Sequence, residues 1–254
     1  MINVTVSSKE LQTFISSILN VDRSGVSLKF YPDFVEALVL SEDNSSVILY
    51  TKLNILEISG METDELVIHV KDLTKMQKLL DMNNGETFTF SIRDNHIYFE
   101  NDMVKGAKFM LADRPSKTVN ARVNVQWFNS FEKTSRMKIS KPVVKSIIQC
   151  SSFTSDDANK VYVYQDGTKV VAEINDRTKN NLDNMSIYIG EIEEGQMEGK
   201  VILNVSTLSR LFLADEMTLE TSFIGQGVSR TEIVFLSFTN DNVSVRYLLN
   251  TLRN

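Results

Sequence analysis

The chain is short of several things that would narrow its chemistry at once. It has a single cysteine, Cys150, in 254 residues. That excludes an internal disulfide and any metal site built from several thiolates, and it fits a reducing compartment. It has two histidines. His69 falls inside a strand pattern and His96 beside a hairpin turn, with no nucleophile pattern near either, so neither reads as catalytic. No apolar run approaches the roughly 18 residues that a membrane-spanning helix needs, and the opening Met1-Ile-Asn-Val-Thr-Val6 lacks a signal-peptide layout. A cytoplasmic location without membrane contact is expected, and triplets such as Asn44-Ser-Ser46 and Asn204-Val-Ser206 are then chance matches to a glycosylation pattern. Asp156 and Asp157 sit in a Ser/Asn-rich turn without companion ligands. Gly225-Gln-Gly227 has no following helix and reads as a hairpin turn, not a phosphate loop. No catalytic constellation, cofactor or metal is expected, and the chain does not read as an enzyme.

A net charge of −6 would ordinarily argue against nucleic acid as a partner, because phosphate affinity comes mostly from Lys and Arg. The distribution of the charge matters more than its sum. Lys71, Lys75 and Lys78 recur at i, i+4 and i+7 and predict one basic face on a helix over 71–82, with Leu73, Met76, Leu79 and Leu80 on the opposite side. Before it, Glu65–Val70 reads as a buried strand. After it, 87–93 and 96–100 read as a hairpin turning at Asp94-Asn95, followed by a strand over 106–111. The unit is β-α-β-β-β.

The rest of the chain repeats that unit. The first copy has a strand over 2–6, a helix over 8–20 capped by Ser7 or Ser8, and strands over 25–31, 34–40 and 47–53. The third has a strand over 131–139, a helix over 141–150 with Pro142 in its first turn, and strands over 160–164, 169–174 and 185–189. The fourth has a strand over 200–205, a helix over 207–214, and strands over 217–223, 231–238 and 243–249. Aligning the helices on Leu11, Leu73, Val143 and Leu208 puts Lys9, Lys71, Lys141 and Ser206 at one outward position, and Thr13, Lys75, Lys145 and Arg210 at the next. The helix spans hold seven basic residues against Glu10, Asp72 and Asp81, a balance of +4 that leaves −10 for everything else. Residues 114–126 lack strand alternation and read as a connector between domains over 1–113 and 127–254. Its Val119, Val123 and Val125, with Trp127 beside it, are more apolar than a solvated linker requires, and Trp127 reads as packed at a domain junction.

Two halves, each a doubled β-α-β-β-β unit with basic-faced helices, joined by a connector, resemble the DNA polymerase sliding clamps. The likeness is to the two-domain type of proliferating cell nuclear antigen and of the tailed-phage processivity factors. It covers the full length and rests on element order, helix phasing and connector position. Leu40-Ser-Glu-Asp-Asn-Ser-Ser-Val47 looks like the clamp turn beside the partner pocket. The resemblance implies an α+β clamp fold with antiparallel sheets outside and helices inside a ring of three chains around duplex DNA. It implies that Lys9, Lys71, Lys75, Lys78, Lys141, Lys145 and Arg210 face the phosphates without reading bases. It implies subunit pairing of Lys108, Phe109, Met110 and Leu111 with Ser186, Ile187, Tyr188 and Ile189, and a partner pocket drawing on Leu40, Val123, Val125 and Leu252. The partners implied are double-stranded DNA, the replicative DNA polymerase, a clamp-loader ATPase and two further copies of the chain. Size and Asn/Lys/Ile/Ser-rich usage point to a bacteriophage source. Two alternatives stay open: a non-ring viral processivity factor that holds DNA by charge alone, and a β-rich structural or interaction protein that does not bind DNA.

Overall fold

A computed structural model of the chain describes residues 1–42, 46–115, 123–154, 159–174, 184–225 and 231–251. The chain divides into two compact units. One comprises Met1–Asn44, Ile48–Val125 and Thr239–Val245, and the other Ser45–Val47, Gln126–Phe238 and Arg246–Asn254.

In the first unit, β1 (Ile2–Ser7) runs into α1 (Ser8–Leu19), followed by β2 (Val26–Phe30), β3 (Phe34–Leu40), β4 (Val47–Asn54) and the short β5 (Glu57–Ser59). Then come β6 (Leu66–Val70), α2 (Leu73–Asp81), β7 (Thr87–Arg93), β8 (His96–Phe99) and β9 (Ala107–Met110). One sheet has the order β5-β1-β7-β8-β9, and β4-β3-β2-β6 form a second run of neighbours. The first strand of each repeat pairs with the strand that follows the helix of the other: β1 with β7, and β6 with β2, both antiparallel. This exchange binds the two copies into one body.

The strands alternate buried and exposed side chains as a half-covered antiparallel sheet requires. In β7, Phe88, Phe90 and Ile92 point inward and Thr87, Thr89 and Arg93 outward. Phe88 stacks on Phe99 with ring centroids 4.6 Å apart, and Phe30 meets Phe90 edge-on, which ties β2 to β7 through the core. The β7–β8 hairpin turns on Asp94 and Asn95, both at positive φ, the backbone of a two-residue primed turn that suits the twist of the strands. Leu11, Phe14, Ile15 and Ile18 bury one side of α1, and Leu73, Met76, Leu79 and Leu80 bury one side of α2.

The second unit repeats the plan. After α3 (Val125–Asn129) come β10 (Lys133–Ser140), α4 (Lys141–Thr154), β11 (Lys160–Asp166), β12 (Lys169–Ile174) and β13 (Met185–Gly195). They are followed by β14 (Val201–Asn204), α5 (Val205–Leu211), β15 (Glu216–Ile224), β16 (Thr231–Thr239) and β17 (Val243–Asn250). The same exchange recurs, β10 with β15 and β14 with β11. The strand β13 serves two neighbours, β12 through residues 185–191 and β10 through 192–195. Gly195 sits at positive φ where this strand leaves the sheet, and a Cβ there would run into the Thr134 carbonyl. The core centres on Phe128 and Phe235, whose rings meet edge-on at 5.6 Å.

Several boundaries depart from the expectations above. Lys71 precedes α2, because the Asp72 side chain accepts from the Thr74 amide and caps the helix at Leu73. The third helix continues to Thr154: Ser151, Ser152 and Thr154 return their hydroxyls to carbonyls three residues back, so a hydroxyl-rich stretch that reads as a turn stays helical. The buried stripe of that helix runs through Val144, Ile147, Cys150 and Thr154, so Val144 replaces Val143 as its first core residue. The fourth helix starts earlier than 207 and ends at Leu211, because the Asn204 side chain caps the Thr207 amide. Phe131 lies outside β10 and packs edge-on against Trp127 at 4.8 Å. The strand β5 and the helix α3 were not anticipated. Val119, Asp156, Asp157, Gln226, Gly227, Leu252 and the middle of the 40–47 turn lie outside the described residues.

Candidate nucleic-acid interface

Each helix turns its apolar stripe onto a sheet, which leaves its other side to solvent. α1 and α2 lie against one another in the first unit, and α4 and α5 do the same in the second. Lys9 on α1, Lys75 and Lys78 on α2, Lys141 and Lys145 on α4, and Arg210 on α5 are all exposed, as is Lys71 just ahead of α2. At 100° per residue Lys145 lies opposite the buried Ile147. Lys78 likewise lies opposite Met76. Pro142 costs α4 nothing, because the first turn has no intrahelical acceptor for its missing N–H.

These cations are held differently from those on the strands. Among the described residues, none of the seven lies within ion-pair distance of a carboxylate. Asp72 feels the fields of Lys75 and Lys78, but its carboxyl is held below the usual range first by the Thr74 hydroxyl. On the strands, Lys138 meets Glu216 at 3.1 Å, Arg136 meets Glu194 at 3.7 Å, and Lys29 meets Glu65 at 3.8 Å. Lys52 sits 3.9 Å above the Phe34 ring and Arg93 4.2 Å above Tyr98. Lys108 and Lys160 are the strand cations among the described residues that have neither kind of partner. The helices thus carry six basic residues against Glu10 and Asp81, a balance of +4 within a chain of −6. Mobile ammonium groups without local anions keep their donors free for an external polyanion, and phosphate backbone is the polyanion to which such a row is suited.

The edge of β9 and part of the edge of β13 are open among the described residues. β9 ends its sheet, paired only with β8, and residues 185–190 of β13 pair only with β12 among the described residues. Large exposed apolar side chains gather there: Met110 on β9 is 59% exposed and Tyr188 on β13 is 64% exposed. Phe153, in the last turn of α4, is 63% exposed. It escaped the sequence reading because the helix was ended at Cys150. Met82 and Met103 are also exposed, and Asn101 and Asn84 tie their segments together at the end of α2. An unpaired edge flanked by apolar side chains is a template for another strand. Of the residues expected to line a partner pocket, Leu40 at the end of β3, Val123 before α3 and Val125 at its start are half-buried.

No protein-family model matches the chain, and no curated protein matches it in sequence. Solved structures do match it in three dimensions. PCNA of A. fulgidus, from a complex with the C-terminal region of FEN-1, superposes with a TM-score of 0.74 over 100% of this chain and 99% of its own, at 14% identity. Proliferating cellular nuclear antigen from Entamoeba histolytica gives 0.72 over 99% of both chains at 12% identity. PCNA from Thermococcus kodakaraensis gives 0.73 over 99% of this chain and 100% of its own at 14% identity. The chain has the sliding-clamp fold.

Proposed function

We propose that the protein is a non-enzymatic sliding clamp: three copies close into a ring around duplex DNA and tether the replicative polymerase to its template. The observation that carries this reading is the contrast between cations. Those on the strands are largely tied to carboxylates and rings, whereas those on the helices are exposed and without a local anion. In a ring with helices inward, Lys9, Lys71, Lys75, Lys78, Lys141, Lys145 and Arg210 meet the phosphates, and the excess of acid on the rest of the chain keeps DNA from the outer surface. Lysine suits the task because its contacts exchange as the ring moves along the duplex.

In this reading the domains are residues 1–113 and 127–254, with 114–126 as the connector. The partner pocket draws on Leu40, Val123, Val125 and Leu252, and a clamp-loader ATPase opens the ring. The ring closes by β-strand pairing between the free edges of β9 and β13. The test is retention on DNA of defined topology. Loaded protein is expected to stay on nicked circular DNA in high salt and to leave once the circle is cut. Equal loss from circular and linear DNA as salt rises would favour a non-ring factor that binds by charge alone.

A further inference from the structure

We infer that the sheet β5-β1-β7-β8-β9 carries, on the face turned away from its core, a binding site for a free nucleoside monophosphate whose base bears an amino group: Arg93, Lys108 and Tyr98 receive the phosphate, and Glu100 accepts from the base. Every one of these residues belongs to the first unit of a single chain, so the site needs no second copy.

The pleat brings them together. Side chains alternate between the two faces of a strand. Phe88, Phe90 and Ile92 on β7, and Ile97 and Phe99 on β8, go to the core, which leaves Ser91, Arg93 and Tyr98 on the other face. Cross-strand pairing sets Ser91 beside Tyr98 and Tyr98 beside Lys108. Glu100 and Gly106 lie one residue past the Phe99–Ala107 pair. A Cβ on Gly106 would meet nothing within 4 Å, so the ground beside Glu100 is open. These residues line a cavity of about 500 Å³, with Met1 at its side.

The strongest donors in this cavity are unspent. Thr89 shares a hydrogen bond with Thr5 at 3.0 Å, and Ser91 donates to Asn3 Oδ1 at 2.7 Å, so these hydroxyls are occupied within the sheet. Arg93 and Lys108 are not: among the described residues neither has a carboxylate within ion-pair distance. Arg93 is fixed nonetheless, its Cζ 4.2 Å over the ring of Tyr98, a contact that orders the guanidinium without consuming its N–H groups. The Tyr98 hydroxyl makes no hydrogen bond among the described residues. Three separate groups thus offer donors around one ring. A phosphate, with three terminal oxygens and close to two charges at neutral pH, takes up more of them than a carboxylate can.

The other end of the cavity asks for the opposite chemistry. Glu100 is exposed and has no partner among the described residues. It stands two residues from Tyr98, about 7 Å along the strand. A bare phosphate ion would gain nothing from this carboxylate and would leave most of the cavity empty. A molecule with phosphate at one end and an N–H donor at the other satisfies both, and the volume is that of a small-molecule site. Adenine and cytosine supply that donor as an exocyclic amino group on a flat ring, where thymine turns a carbonyl instead.

Calorimetry on the full chain at about pH 7.5, where the phosphate is largely dianionic, tests this. dAMP and dCMP are expected to bind, and dTMP at least about fivefold more weakly, because its O4 faces a carboxylate. Inorganic phosphate is expected to give no measurable heat. Arg93→Gln is expected to weaken dAMP about tenfold. Glu100→Gln is expected to bring dTMP to within about twofold of dAMP, since an amide both donates and accepts. Both positions are exposed, so both variants should melt as the parent does. Lys138→Gln removes a cation outside the cavity that is held by Glu216, and is expected to leave dAMP affinity unchanged. No heat with dAMP at millimolar concentration, equal affinity for dAMP and inorganic phosphate, or full dAMP affinity in the Arg93 variant would each overturn the site. A preference for dAMP over dTMP that survives Glu100→Gln would overturn the placement of the base.

Discussion

Replacing Lys75 and Lys78 with Gln separates the DNA-facing reading from simple solvation of a helix. Both side chains are exposed and have no carboxylate within ion-pair distance, so the two substitutions together are expected to change folding stability by no more than about 1 kcal/mol. Its effect on DNA binding is different in kind. Each phosphate neutralised contributes about 0.9 to the slope of log K against log salt, so one contact accounts for about a 3.5-fold loss of affinity between about 50 and 200 mM salt. Removing two contacts is then expected to reduce the loss over that range by about twelvefold for each subunit whose α2 faces the duplex. Fluorescence anisotropy of a labelled duplex across a salt series measures the slope. Lys138→Gln is the control, because that lysine lies on a strand and is paired with Glu216 at 3.1 Å. Equal slopes for the parent chain and the Lys75/Lys78 variant, or an equal change in the Lys138 control, would refute the assignment of the helix faces to DNA.

Other parts of the structure give expectations that do not depend on DNA. Phe128 has no exposed surface and contacts the rings of Trp127 and Phe235, so Phe128→Ala is expected to lower the stability of the second unit by about 3–5 kcal/mol in a denaturant melt. Asp72→Ala removes the cap of α2 and should cost about 1 kcal/mol at neutral pH. Its carboxyl titrates below the usual range in the folded chain, so the difference between the parent and this variant should be full above the unfolded carboxylate pKa and fade as acid protonates the folded one. Lys133 sits 3.0 Å above the Phe235 ring, and burial together with the nearby Arg246 pushes its ammonium pKa down to about 7 against the pull of Glu220. Between that value and the ordinary lysine range the unfolded chain carries a proton that the folded chain lacks, so stability rises with pH through this window. Lys133→Met is expected to flatten that rise, which urea melts at about pH 6 and about pH 9.5 would measure.

The sequence by itself determined the repeat. Period-two and period-3.6 patterns in residues such as Thr87–Arg93 and Leu73–Leu80 follow from burial of one face, and a buried face is written locally. Four β-α-β-β-β copies were therefore legible, and so was the exposure of every basic helix residue assigned to DNA. Helix ends were less so. They turn on single side chains, such as Asp72 and Asn204 accepting from amides two and three residues on, or Ser151 and Ser152 bonding back within α4. The same residue types also make turns, so Phe153 was lost to a helix ended too early.

Only the tertiary structure decided which strands pair and which edges stay open. The exchange of β1 with β7 and β10 with β15 joins residues some 80 positions apart, and no local pattern encodes that choice. The same holds for the cations. A basic residue on a strand and one on a helix look alike in sequence, and it is a carboxylate on the adjacent strand, Glu216 for Lys138 or Glu194 for Arg136, that holds one and leaves the other free. The extent of an open edge is likewise set inside the fold: the Leu111 and Ala112 amides past β9 donate to the Asn95 and His69 carbonyls, because a backbone donor can serve one ladder at a time.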